Sequence, residues 1–206
     1  SLASGVKNGL ATVAKVGAAA VSAGVAGVAA LTKMGVEGYA QYEQLVGGVE
    51  TLFKDSQATV MAYAENAYKT SGMSAKQYME TVTSFSASLI QSLDGDTAKA
   101  AEGADMAITD MSDNANKMGT SIDMIQNAYN GFAKGNFTML DNLKLGYGGT
   151  QEEMKRLLKD AEAISGIKYD ISSFADVTEA IHVMQESMGI AGTTAREAAT
   201  TIEGSL

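Results

Sequence analysis

The chain has 206 residues with no cysteine, no proline and no tryptophan, and 46% of it is apolar. Zero cysteine excludes a disulfide scaffold, a thiolate zinc site and a cysteine nucleophile, while the lack of proline, the strongest helix breaker, favours a nearly all-helical chain. The net charge of −9 is uneven: residues 1–32 carry only Lys7 and Lys15, so the remainder carries −11, and with only two arginines, Arg156 and Arg196, it lacks the basic clusters that sequence-specific nucleic-acid binding needs.

Residues 16–32 hold no charge and are bracketed by Lys15 and Lys33. Leu10, Val13, Gly17, Ala20, Gly24, Gly27 and Leu31 follow alternating three- and four-residue steps, so they form one face of a helix, and Val21, Val25 and Val28 form another. A groove of glycine and alanine lets a second backbone approach closely, which predicts an oligomer seam that packs as a coiled or a transmembrane-like bundle. The seventeen uncharged residues span about 26 Å as a helix, slightly short of a hydrocarbon core of about 30 Å. Membrane insertion and a packed helix in water both stay open on this count. The chain opens without methionine inside a helical pattern already under way, and reads as an excerpt.

Gly35 and Gly38 read as a hinge, which divides the chain into an uncharged Ala/Gly-rich helix, residues 1–34, and an acidic helical body, residues 39–206. Helix is predicted over residues 39–46, bent at Gly47 and Gly48, and again over 49–70, ending at Ser71 and Gly72. Ser74 and Gln77 have the spacing of a capping box, before a helix that buries Tyr78, Val82, Phe85 and Leu89. A turn at residues 94–97 leads to a helix with Ala101, Ala104, Ile108 and Met111 inward, closed by Gly119. Thr120 opens the next, with Ile122, Ile125, Tyr129 and Phe132 in register.

A short segment with Phe137, Leu140 and Leu143 precedes the glycine-rich turn at residues 146–149. Thr150 and Glu153 form a second capping box, whose helix buries Met154, Leu157, Leu158, Ala161 and Ile164. Residues 167–171 suit a short extended segment. The last helices are marked by Phe174, Val177, Ile181, Met184 and Met188, ended by Gly189, and by a start at Thr194. Short connections join these pieces, so the predicted fold class is all-α, a multi-helix body with neighbours packed antiparallel.

No constellation assembles an active site, a cofactor site or a metal site. His182 is the sole histidine and sits beside Ile181 on an amphipathic helix, so it reads as structural. Glu102, Asp105, Asp110 and Asp113 could do acid-base work only if burial separated their pKa values; their spacing spreads them around a helix, which predicts a solvated face. Asp94 and Asp96 lack the alternating ligands of a calcium loop and read as a turn and cap. The turn before Thr150 lacks the lysine of a phosphate loop, so Tyr147 is expected to pack or to meet a partner.

Residues 42–53 (Tyr-Glu-Gln-Leu-Val-Gly-Gly-Val-Glu-Thr-Leu-Phe) closely resemble the core region of tail tape measure proteins of long-tailed bacteriophages and prophages. Residues 104–119, 137–150, 180–185 and 192–204 extend that resemblance, which covers residues 39–206 nearly continuously. It implies a structural virion protein and no enzyme. Such a protein fills the tail tube, sets tail length in assembly and leaves through the tip when DNA is ejected. It further implies a small symmetric homo-oligomer, such as a trimer, with the tail tube and tail-tip or baseplate hub proteins as partners. Some members reach the host membrane. The other classes in view are a pore-forming protein, which would need a second uncharged segment, and a cell-wall hydrolase, whose carboxylate-histidine constellation is missing.

Overall fold

The computed structural model describes the backbone of residues 25–203 and the side chains of residues 38–200. Helices form wherever apolar residues recur at helical spacing between polar caps: α1 (Val25–Phe53), α2 (Gln57–Thr70), α3 (Ala75–Ser92), α4 (Thr97–Met118), α5 (Ile122–Phe132), α6 (Gln151–Ser165), α7 (Phe174–Ser187) and α8 (Thr193–Glu203). Short 3-10 turns lie at Lys54–Ser56 and Leu140–Leu143, and the described residues contain no strand. The protein is all-α.

The chain parts into two units, residues 1–44 and 45–206. In the first, the described backbone is helical from Val25 onward and runs through Gly35 and Gly38 without the expected hinge. Of the seam residues, Leu10, Val13, Gly17, Ala20 and Gly24 lie outside the described residues. Gly27 and Leu31 fall on α1, with their side chains outside the description. Among the described residues no helix is long and apolar enough to cross a membrane; residues 16–24 of the uncharged run lie outside that description.

In the second unit, Gly47 and Gly48 also stay helical, where a bend was expected. Each glycine costs about 1 kcal/mol in a helix interior, but Val49 and Phe53 just beyond are fully buried, and each contributes about 1.5–3 kcal/mol by leaving water. Burial outweighs propensity. The break comes instead at Lys54, which takes a left-handed φ of 49° and opens the 3-10 turn where Ser56 is hydrogen-bonded to Thr97 across 3.0 Å.

The central helix is α4, against which α2, α3, α5, α7 and α8 all pack. Ala100, Ala101, Ala104 and Ala107 are buried along it, so neighbouring helices close in on small side chains. Ile108, Met111, Leu89, Ile125 and Leu157 fill the core around them. The expected Ser74–Gln77 capping box is complete. At α6, Thr150 accepts from the Glu153 amide, but the Glu153 carboxylate accepts from the Gly148 amide and from Arg156 rather than reaching back to the cap. Asp96 and Ser173 cap α4 and α7, and left-handed Gly119 and Gly166 close α4 and α6.

Two apolar expectations fail at helix ends. Ile164 is 54% exposed and Met188 is 44% exposed, because each lies in the last turn or just past it, beyond the reach of the packed stripe. Residues 167–170 adopt no regular structure, with buried Tyr169 anchored through its hydroxyl to Ser165.

Candidate functional site

The acidic face expected on α4 is a buried polar seam. Only Glu102 is exposed as a solvated face requires; Asp105 is half-buried, and Asp110 and Asp113 are almost wholly buried. With helices packed around α4 on most sides, those carboxylates must find partners inside the body. Asp105 accepts a 2.8 Å bond from the Tyr78 hydroxyl. Burial raises the Asp105 pKa against the lowering effect of that bond, and burial also raises Tyr78.

Asp110 meets α7. Both of its carboxylate oxygens lie 3.0 Å from Nδ1 of His182, and Nε2 of the same ring lies 3.4 Å from Glu186. The Asp110 hydrogen bond raises the His182 pKa above its ordinary value, against the lowering effect of burial. Burial pushes the Asp110 carboxyl upward, with His182 opposing it. Both ring nitrogens are committed to carboxylates, which makes the pair an electrostatic clamp between α4 and α7.

One turn further along α4, the carboxylate of Asp113 accepts the backbone N–H groups of Gly192, at 2.5 Å, and Thr194, at 2.8 Å. It caps the start of α8 from another helix. Asn114 donates to the Gln185 side chain at 2.7 Å and to the Leu143 carbonyl at 3.0 Å, and Gln185 donates to the Asp110 carbonyl. The seam therefore ties α4 to α7, to α8 and to the Leu140–Leu143 turn. Its signal in the sequence was His182 and Gln185 interrupting the apolar stripe of Ile181 and Met184.

Beside the seam lies a cleft of about 610 Å³, walled by α3, α5, the C-terminal end of α4 and the start of α8. The facing sides of α3 and α5 are polar: Gln126 donates to Thr81 at 2.9 Å, and Ser84 donates to Asn130 at 3.1 Å. Three buried hydroxyls, on Ser112 of α4, Thr120 of the α4–α5 connection and Thr194 of α8, have no protein hydrogen-bond partner. Glu80 and Asp123 are the charged groups of the lining. No part of this cleft was expected, since isolated serines, threonines and amides on a helix read as solvated surface.

The glycine-rich turn before α6 packs as expected of its tyrosine. Tyr147 is buried, its hydroxyl donates to Asp160 at 2.7 Å, and the Arg156 guanidinium stacks 4.3 Å from its ring centroid. Burial and the Asp160 bond push the Tyr147 pKa up to about 12. Among the described residues, no group of three or more histidine, aspartate or glutamate side chains is placed to hold a metal ion. No family model, no curated protein and no solved structure matches the chain.

Proposed function

We propose that this chain is part of a tail tape measure protein: a structural virion component that sets tail length during assembly and leaves through the tail tip to assist DNA delivery. In this reading residues 39–206 are a body that docks against tail-tip or baseplate hub proteins. The Ala/Gly-rich helix before it associates with its own copies in a small symmetric bundle, such as a trimer, inside the tail tube or at its tip. Contact with the host membrane follows ejection. The role is structural and not catalytic.

The observation that carries this reading is the near-continuous resemblance of residues 39–206 to the core of that family. Physical features of the chain support it. A protein that passes along a tube must lose compact structure and regain it afterwards. The two slow steps that commonly delay refolding are prolyl isomerisation and disulfide formation, and this chain has neither proline nor cysteine. Its elements are helices with local caps, which re-form quickly once released. The seam glycines Gly17, Gly24 and Gly27 suit close self-association.

The test is genetic and compositional. Long-tailed particles purified from a strain encoding this chain should contain its peptides, and removing the codons for residues 39–206 should leave tails missing or of aberrant length. Gly24→Leu should impair assembly or ejection by filling the seam. Particles that lack these peptides, with normal tails after the deletion, would overturn the reading.

A further inference from the structure

We propose that the acidic, tyrosine-bearing face of α1 in one copy of this chain docks into the lysine-rimmed groove between α6 and residues 168–171 of a second copy. Residues 38–44 of α1 are exposed on every side, with Tyr39 at 50% and Tyr42 at 39%. Helices in proteins draw most of their stability from packing an apolar face. Two tyrosines with about 150–250 Å² each to bury make such a face, left open among the described residues.

This face is distinct from the glycine seam. α1 is helical without a break through Gly38 to Phe53, so the seam's three- and four-residue steps continue from Leu31 to positions 34, 38 and 41. The valine row of Val21, Val25 and Val28 continues by the same steps to Tyr39, Tyr42 and Val46. A copy packed on the seam therefore leaves the tyrosines open. Glu43 and Glu50 lie beside that row, and residues 34–53 hold three glutamates and no lysine, arginine or histidine.

The groove has the opposite character. Its volume is about 660 Å³, and it is lined by Lys155 and Lys159, one turn apart on α6, and by Lys168 from the segment beyond. Lys155 and Lys159 make no ion pair among the described residues, in a chain with a net charge of −9. The acids of the lining are Glu162 and Asp170, and the Asp170 carboxylate is turned into its own loop, where it accepts from the amide and the hydroxyl of Ser172. Leu158, Tyr169 and Ile171 supply the apolar lining.

An apolar groove with a basic rim fits a helix that presents aromatic anchors beside acids, as in helix-in-groove recognition. The lysines orient the encounter more than they hold it, and tyrosine burial supplies the affinity. One face meets a different face of the next copy, so the contact is head to tail and ends in a ring when the rotation closes. A trimer is such a ring. The inference rests on the self-association part of the reading above and gives it a second contact.

The experiment uses the full chain in solution. Sedimentation should show concentration-dependent association that weakens with salt. Lys155→Glu with Lys159→Glu, and separately Glu43→Lys with Glu50→Lys, should each weaken it about tenfold, and all four together should recover most of the loss. Because the chain has no cysteine, copies carrying Ala40→Cys and copies carrying Ala163→Cys, both exposed positions, can be mixed and joined with a short bismaleimide. The expected product joins unlike copies. A chain that stays monomeric, paired variants that associate as the parent does, or four substitutions that recover nothing would overturn the proposal. Cross-links between like copies alone would remove this contact and leave the glycine seam in place, whereas tailed particles without these peptides would remove the tail reading and leave the cross-link.

Discussion

Asp110 holds His182 with both carboxylate oxygens 3.0 Å from the ring Nδ1, joining the central helix α4 to α7 from inside the body. The His182 pKa is raised in the fold, chiefly by that hydrogen bond, and the Asp110 pKa is raised by burial. A raised pKa means that the folded state holds the proton more tightly than the unfolded chain does. For His182, facing Asp110 from α4 and Glu186 and Glu179 from its own helix, the stability gained is fully present below about pH 6.5. It is lost as pH rises through the folded value. The predicted outcome is a loss of stability to urea as pH rises from about 6 into the alkaline range, with His182→Gln flattening that slope. An unchanged slope in the variant would mean that the Asp110–His182 pair does not cause the pH dependence.

The fold has an acid limit set by other carboxylates. Asp96 and Asp170 are lowered by hydrogen bonds from backbone N–H groups, and Glu153 is lowered to about 2 by Arg156 and the Gly148 amide. Lowered carboxylates give stability above their unfolded values, and it is lost as pH falls through the folded ones. Stability should therefore peak in the mildly acidic range and fall again below about pH 4. Urea midpoints measured across that range check the shape of the curve.

Asp113 is the cap of α8, although it belongs to α4. Asp113→Ala leaves the Gly192 and Thr194 amides without their charged acceptor, and should cost about 1.5–3 kcal/mol. The loss should appear first as faster hydrogen exchange along α8, with exchange at Ile108 and Met111 in the core of α4 changing less. Uniform acceleration through the body would mean that α8 is not held separately by this contact.

Two glycines should respond in opposite directions. A Cβ at Gly149 would sit 2.2 Å from the Thr138 carbonyl oxygen, whereas one at Gly47 meets nothing within 4 Å. Gly149→Ala should destabilise by about 1–3 kcal/mol or more, because backbone rather than a flexible side chain must move. Gly47→Ala should stabilise by about 1 kcal/mol, the helix-propensity difference. Thermal melts of the two variants beside the parent chain read both effects.

Refolding should be free of the slow phase that prolyl isomerisation imposes over tens of seconds, because the chain has no proline. Stopped-flow refolding followed by tyrosine fluorescence checks this. A major phase on the minute timescale would weaken the argument that the body re-forms quickly after passage through a tube.

The local parts of the fold were legible because their causes lie within a few residues. Ser74 and Gln77 cap each other three positions apart, and Gly119 closes α4 where the apolar stripe ends. The polar seam was not legible. Asp110 finds His182 72 positions later, and Asp113 finds Gly192 79 positions later, so a one-face reading of α4 placed both in water. Gly47 and Gly48 misled for a related reason: their propensity favours a bend, but Val49 and Phe53 bury fully only if the helix continues. The cleft was not legible either, because its hydroxyls and amides come from four helices and the connections between them, each ordinary by itself.

Whether this chain belongs to the tail is decided by a side-chain-resolution electron cryo-microscopy map of the assembled tail tip. The expected map holds density into which the helical body α2–α8 fits, repeated symmetrically about the tail axis, with Gly17, Gly24 and Gly27 of neighbouring copies facing one another. A complete tip map with no density that accepts this body would contradict it.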